Sequence, residues 1–384
     1  MDISAIYKHP EDVVAVTSSS GSITYGELYR RSENLAKHII ASGAKRVIVY
    51  GHKEYSMVLA YVACLRAGVP YIPVSPQQPV GRRKAIASQA DAGLILCAVG
   101  RGFAGAGSAL SLNIMAVSDE APEQEVQLPD AYAEDQLAYI TFTSGSTGNP
   151  KGVQATRGNL NNYIDWMDKT IPLKPEEEGT ILNLAMFSID LSLTDIYYAL
   201  THGRTLVTTN SEIQQHLTML YPHLEKSNAA MMVLPPTLVH FMMQSNRFGR
   251  EMMPNLRVVY LSGESLHPGT VRHLLKCFDG DLTVINGYGP TEATCNVCAA
   301  QITDDMCDDR LPVGIVKDAC TTIRIMKDNE DVPVGEEGEI VLIGKSVTGG
   351  YTNDDEGGFC TIDGQPAFRT GDIGLVTEDG RLYW

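Results

Sequence analysis

The sequence predicts an α/β fold of two mostly parallel sheets with flanking helices, layered αβαβα, followed by a small β-barrel-like subdomain. Three observations carry it. From residue 23 to residue 97, helical-period segments alternate with short β-branched runs separated by Gly and Pro breakers, the pattern of βαβ units. A second alternating half runs from residue 180 to residue 261, and beyond Arg310 the texture changes to β-branched runs separated by Gly and Asp. The expected boundaries are 1–170, 171–310 and 311–384. A chain of 384 residues, 44% hydrophobic, exceeds what one core usually supports.

Taken in order, Ile23-Thr24-Tyr25-Gly26-Glu27-Leu28 opens a helix with Leu28, Leu35, Ala36 and Ile39 at helical spacing, and Gly43 stops it. Strand 47–50, helix 55–66, breaker Gly68-Val69-Pro70, strand 71–74, helix 81–90 and strand 93–97 follow. Residues 100–108 form a small-residue loop, and the acidic, Pro-containing stretch 118–135 is expected to be exposed. Strand 137–142 leads into Thr143-Ser144-Gly145-Ser146-Thr147-Gly148-Asn149-Pro150-Lys151-Gly152, with a helix over 159–167 behind it. The second half reads as strand 180–184, helix 191–200, strand 205–208, helix 213–226, and strands 229–234 and 256–261. Strands over 321–326 and 339–343 belong to the last part.

The stretch from Thr143 to Gly152 combines hydroxyls, three glycines and a closing lysine, so it can offer a phosphate many donors at close range. It is no P-loop, because Pro150 stands where the second glycine is required. A net charge of −16 and a pI near 5.0 disfavour nucleic acid or an anionic membrane as partner, so any phosphate must be met by local donors. The sequence lacks a membrane-length apolar run and a secretory leader pattern at Met1, which points to the cytoplasm. Eight scattered cysteines read as reduced thiols. Cys295-Asn296-Val297-Cys298, with neither a second such pair nor a nearby histidine, reads as buried small side chains rather than a metal site.

Three further segments join the loop: Phe187-Ser188-Ile189-Asp190-Leu191-Ser192, the glycine-punctuated Asn286-Gly287-Tyr288-Gly289-Pro290-Thr291-Glu292, and Phe368-Arg369-Thr370-Gly371-Asp372. In this order and at these intervals they resemble the adenylate-forming family: adenylation domains of nonribosomal peptide synthetases, acyl-CoA synthetases and luciferases. Lesser matches are residues 23–28, 65–74 and 335–351. The segment 187–197 resembles amino-acid-activating members, in particular D-alanine:carrier-protein ligases. Three departures from that subfamily are Ile189 for a phenylalanine, Ser262 for a cysteine and Gly287 for a threonine.

The resemblance implies attack of an amino-acid carboxylate on the α-phosphate of ATP, release of pyrophosphate, and transfer of the aminoacyl group to the phosphopantetheine thiol of a carrier protein. It implies that Thr143, Ser144, Ser146 and Thr147, with the amides of Gly145 and Gly148, embrace the β- and γ-phosphates beside Lys151. Thr291 then reaches the α-phosphate and Glu292 holds Mg²⁺. Adenine falls to Asn286, Tyr288, Gly287, Gly289 and the Gly263-Glu264 backbone, and the ribose to Asp372. Each assignment has a chemical reason: an amide reads the adenine edge, an aromatic stacks, and a carboxylate accepts from a diol.

Asp190 is the group that speaks for an amino acid, because a substrate ammonium in an apolar pocket needs a paired carboxylate; an N-cap for the following helix is the other role open to it. Leu191, Thr194, Val233, Tyr260, Ser262, Gly287, Cys295 and Asn296 transfer as the side-chain wall. Small Gly287 beside polar Ser262 and Asn296 suggests a small or mid-sized, polar substrate side chain. The resemblance also implies a continuation past Gly380-Arg381-Leu382-Tyr383-Trp384 into a mobile domain carrying a catalytic lysine, so the reading expects the N-terminal core, with feeble adenylate formation. An acyl- or aryl-CoA synthetase core and a non-catalytic nucleotide-binding module remain the alternatives. The amino acid, its stereochemistry, the carrier and the pathway are not legible.

Overall fold

The computed structural model describes residues 1–100, 103, 109–144, 149–353 and 357–384, without the Ser144 side chain. A six-stranded sheet runs in the order Leu110–Asn113, Leu94–Cys97, Val47–Tyr50, Tyr71–Val74, Leu137–Ser144 and Pro150–Thr156, parallel except for its last pair. Its inner strands VIVY, YIPV and LILC are buried at every position, as a parallel sheet covered on both faces requires. Helix Tyr25–Ala41 starts with a capping box, in which the Thr24 hydroxyl accepts from the Glu27 amide and the Glu27 carboxylate accepts from the Thr24 amide. Helix Tyr55–Ala67 is buried nearly all round, and Gly68, at φ 69°, ends it in the left-handed conformation that glycine adopts without strain.

The second sheet has eight strands in the order Cys298–Ile302, Thr283–Tyr288, Val258–Ser262, Ala229–Leu234, Thr180–Asn183, Leu206–Thr208, Val14–Ser18 and Gly21–Thr24. The sheet takes in two strands from before the boundary expected at residue 170. The N-terminal hairpin leaves its own half and pairs parallel with Leu206–Thr208, Val16 opposite Leu206, where it buries Ala15 and Val16 and covers an otherwise open edge. Other differences are local. Strand Pro150–Thr156, where only a loop was expected, pairs antiparallel with Leu137–Ser144, so the hydroxyl-rich stretch joins the two strands of a hairpin. The helix expected over 213–226 is two, Ser211–Gln215 and Leu217–Ser227, with His216 extended between them. Helices Pro236–Met242 and Pro268–Cys277 were not foreseen, although each begins with the proline that suits a first helical turn.

The third sheet is antiparallel, in the order Gly314–Ile315, Arg381–Tyr383, Gln365–Val376, Gly338–Ile343, Thr322–Lys327 and Glu330–Asp331, with Phe359–Ile362 also paired to Gln365–Val376. It leans on the hairpin of Leu137–Ser144 and Pro150–Thr156: the Gln154 amide donates to the Gly350 carbonyl at 2.9 Å, and the Thr352 amide to the Gly152 carbonyl at 2.8 Å. Among the described residues no helix is long and apolar enough to cross a membrane.

Candidate active site

Two neighbouring parallel strands of the second sheet deliver the first part of the site. Ser262 lies opposite Gly287 and Leu261 opposite Asn286, so residues 262–264 and 286–289 meet at the carboxyl ends of their strands, the side on which open α/β sheets bind ligands. Asn286, Gly287 and Tyr288 are strand residues rather than the loop expected. They wall a cavity of about 170 Å³ with Gly263, Glu264 and Asp372. The Asn286 amide nitrogen donates to the Pro312 carbonyl at 2.9 Å, which leaves the amide oxygen as the end that can read an exocyclic amine. The Tyr288 hydroxyl donates to Asp372 Oδ2 at 2.7 Å, tying the second sheet to the third. Burial, and next that hydrogen bond, push the Tyr288 pKa up, so it stays a donor.

A larger cavity of about 730 Å³ shares Ser262, Gly263, Glu264 and Gly289 with the first, and Asp190, Leu191, Cys295 and Asn296 face it. Gly289 permits this junction, since a Cβ there would lie 2.3 Å from the Cys295 carbonyl oxygen. Asp190 does not cap a helix: Leu191 holds the N-cap position of Ser192–Thr201, with no side-chain cap. Burial raises the Asp190 pKa above the usual carboxylate range; a hydrogen bond from Thr291 opposes this, and the charge of Glu292 adds to it.

At the base of the cavity the Ser262 hydroxyl donates to Asn296 Oδ1 at 2.5 Å, and Asn296 Nδ2 donates to Cys295 Sγ at 3.2 Å. Thr294 and Cys295 hold φ of 63° and 70°, a left-handed pair whose strain fixes where Cys295 and Asn296 point. Three expected wall residues lie elsewhere. Thr194, Val233 and Tyr260 are fully buried and do not border the cavity, while Gly287 borders the smaller one. A Cβ on Gly287 would meet the Tyr260 hydroxyl at 2.5 Å, so the room its small size frees is filled by Tyr260.

The phosphate side is described in part. Thr143 pairs with Lys151 across the hairpin, its hydroxyl 3.5 Å from the Lys151 carbonyl oxygen. Gly145, Ser146, Thr147 and Gly148, and the Ser144 side chain, lie outside the described residues. Tyr351, which sequence reasoning left out of the site, joins its two charges: the Lys151 ammonium stands 5.0 Å from its ring centroid, and its hydroxyl donates to Glu292 Oε1 at 2.6 Å. The signal was the Gly349-Gly350-Tyr351 end of a segment read only as a lesser match. The Glu292 carbonyl accepts from the Thr348 amide at 2.9 Å. Among the described residues no three His, Cys, Asp or Glu cluster as a metal cage, but Mg²⁺ binds through one or two carboxylates plus substrate phosphates, so a single Glu292 beside a phosphate hairpin fits it.

The cavity of Asn286, Tyr288 and Asp372 and the larger one faced by Asp190 thus share the wall of Ser262, Gly263, Glu264 and Gly289. The chain belongs to the AMP-binding enzyme family, whose model matches residues 4–352. A D-alanine–D-alanyl carrier protein ligase of Bacillus licheniformis is 35% identical over 384 residues, covering 97% of this chain and 75% of the relative. A ligase of the same name from Bacillus velezensis is also 35% identical, covering 96% and 74%. The N-terminal subdomain of Klebsiella oxytoca NpsA, in complex with 3-hydroxybenzoyl-AMSN, superposes with a TM-score of 0.83 over 99% of this chain and 97% of that one; at 21% identity this bears on the fold alone.

Proposed function

We propose that the chain activates an amino acid with ATP, forming an aminoacyl-adenylate and pyrophosphate, and passes the aminoacyl group to a carrier-protein phosphopantetheine thiol. One observation carries this reading: the half-buried Asp190 faces the cavity that shares a wall with the nucleoside cavity. Names of the relatives in the same family point the same way. Both reactants are anionic, so the residues' task is to align them and offset charge on the phosphates. Asn286 reads adenine, Tyr288 covers its face, Asp372 accepts from the ribose, and Lys151 with the hairpin hydroxyls meets the β- and γ-phosphates. Asp190 pairs the substrate ammonium while Thr291, bonded to Asp190, reaches toward the α-phosphate. Glu292 is the residue that would hold Mg²⁺, oriented by Tyr351; the ion would neutralise phosphate charge. The reading places the protein in the cytoplasm, with its ATP.

The Ser262 hydroxyl borders the Asp190 cavity and, having donated to Asn296, retains acceptor lone pairs, which favours a substrate side chain carrying a hydrogen-bond donor. The test is ATP–pyrophosphate exchange across an amino-acid panel with fatty and aryl acids as controls. Exchange that depends on an α-amine, and that prefers serine to 2-aminobutyrate, is the expected result. Exchange driven equally by acids without the amine would overturn the amino-acid assignment.

A further inference from the structure

Behind the turn that carries Asp190 lies a buried polar cluster that the reaction above does not use. Lys53 is 3% exposed, and its ammonium donates to the Leu184 carbonyl at 2.9 Å. Gln214 Nε2 donates to the same carbonyl at 2.7 Å. Asn183 and Asp195 are both 0% exposed, and Asn183 Nδ2 donates to Asp195 Oδ2 at 2.8 Å. Asn183 ends its strand and Leu184 follows it, while Asp195 lies in the first turn of Ser192–Thr201. The cluster therefore holds both ends of the turn 184–191, and Asp190 stands on that turn.

We propose that Lys53 and Asp195 are positioning residues: their buried hydrogen bonds, to the Leu184 carbonyl and with Asn183, fix the turn 184–191 and so set where Asp190 presents its carboxylate to a substrate ammonium. The inference rests on the amino-acid reading. Met186 and Ile189 of the turn are exposed, so packing over its apex does not hold it; the buried Phe187 and the anchored ends do. Among the described residues Asp195 Oδ1 and Asn183 Oδ1 have no hydrogen-bond partner, so the cluster holds more acceptor than donor capacity, and the Lys53 ammonium offsets it. The other titratable groups facing Lys53 are His52, bonded through Nε2 to the Ser211 hydroxyl at 2.8 Å, and His223, bonded through Nε2 to the Thr209 hydroxyl at 2.9 Å. Lys53 comes from the first half of the chain, and its carbonyl accepts from Thr208 Oγ1 of the second sheet at 2.9 Å. A leucine or methionine would fill the same space, but would leave the Leu184 carbonyl with one donor fewer.

The test compares binding of two non-hydrolysable probes, alanyl sulfamoyladenosine and its propionyl counterpart, which lacks the α-amine. Wild type should prefer the amino probe by about tenfold or more, the worth of one charge-assisted pair. Lys53→Met should cut that preference to about threefold or less, with propionyl-probe affinity within about twofold of wild type. The double variant Lys53→Met/Asp195→Asn, which buries no net charge, guards against simple misfolding and should show the same loss. Retention of the full preference in either folded variant, or equal weakening of both probes, overturns the positioning role. A wild type that binds the two probes alike overturns the amino-acid reading itself, and the inference with it.

Discussion

The two cavities differ in how they are built. The nucleoside cavity is small, and its key groups, Asn286, Tyr288 and Asp372, are each held by a hydrogen bond within a few residues of a strand end or across one sheet junction. The cavity faced by Asp190 is more than four times as large and takes its acid from a turn held by buried groups, Asp195 in the helix that follows and Lys53 from far away in the chain. Recognition of an invariant nucleotide can reside in local motifs. Recognition of a variable acid draws on tertiary packing, and that contrast can be broken one cavity at a time.

The largest effect is expected at Asp190. Asp190→Ala should weaken amino-acid binding by about 100-fold or more, on the order of 3 kcal/mol, because a substrate ammonium would be buried unpaired. ATP affinity should stay within about twofold, since the nucleoside cavity has its own supports. Equilibrium binding of each ligand alone separates the two. Asp372→Asn should do the reverse: it keeps an acceptor for Tyr288 but removes the charge from the ribose side, so ATP affinity should fall about tenfold with amino-acid affinity unchanged. Tyr351→Phe should raise the Mg²⁺ concentration for half-maximal exchange a few-fold, about 1 kcal/mol, by freeing Glu292.

The smallest effect is a pH dependence of stability. Burial, followed by the charge of Lys53, holds the His52 pKa at about 4, against an ordinary 6.5. The unfolded chain thus binds that proton first, and stability is lost as pH falls through 6.5 toward 4. Burial likewise lowers Lys53 to about 7, so stability rises between pH 7 and 10.5, where the unfolded chain still holds the proton. Asp195, raised by burial, acts in the opposite sense. Comparison of thermal melts therefore uses His52→Gln: its melting temperature should drop less than that of wild type between pH 8 and pH 5, by about a few degrees.

Much of this was legible from residues alone. Strands 47–50, 71–74 and 229–234 appear where their apolar runs placed them, because a run buried on both faces has little choice. Asp190, Asn286, Tyr288 and Asp372 line the two cavities, each embedded in a short pattern that could be read from the chain. What escaped was set by distance. The hairpin Val14–Thr24 crosses to the far sheet through pairing that no local pattern encodes. Tyr260 occupies the space over Gly287 by virtue of a neighbouring strand, and Lys53 reads locally as an ordinary solvated lysine before a helix. Tyr351 is carried to Glu292 by a loop of the third sheet.

A crystal structure of this chain with alanyl sulfamoyladenosine tests most directly whether one site joins a nucleoside to an amino acid through Asp190. Adenine is expected in the cavity of Asn286 and Tyr288, the ribose hydroxyls on Asp372, and the α-ammonium within about 3 Å of the Asp190 carboxylate. An ammonium turned away from Asp190, with adenine correctly seated, would contradict it.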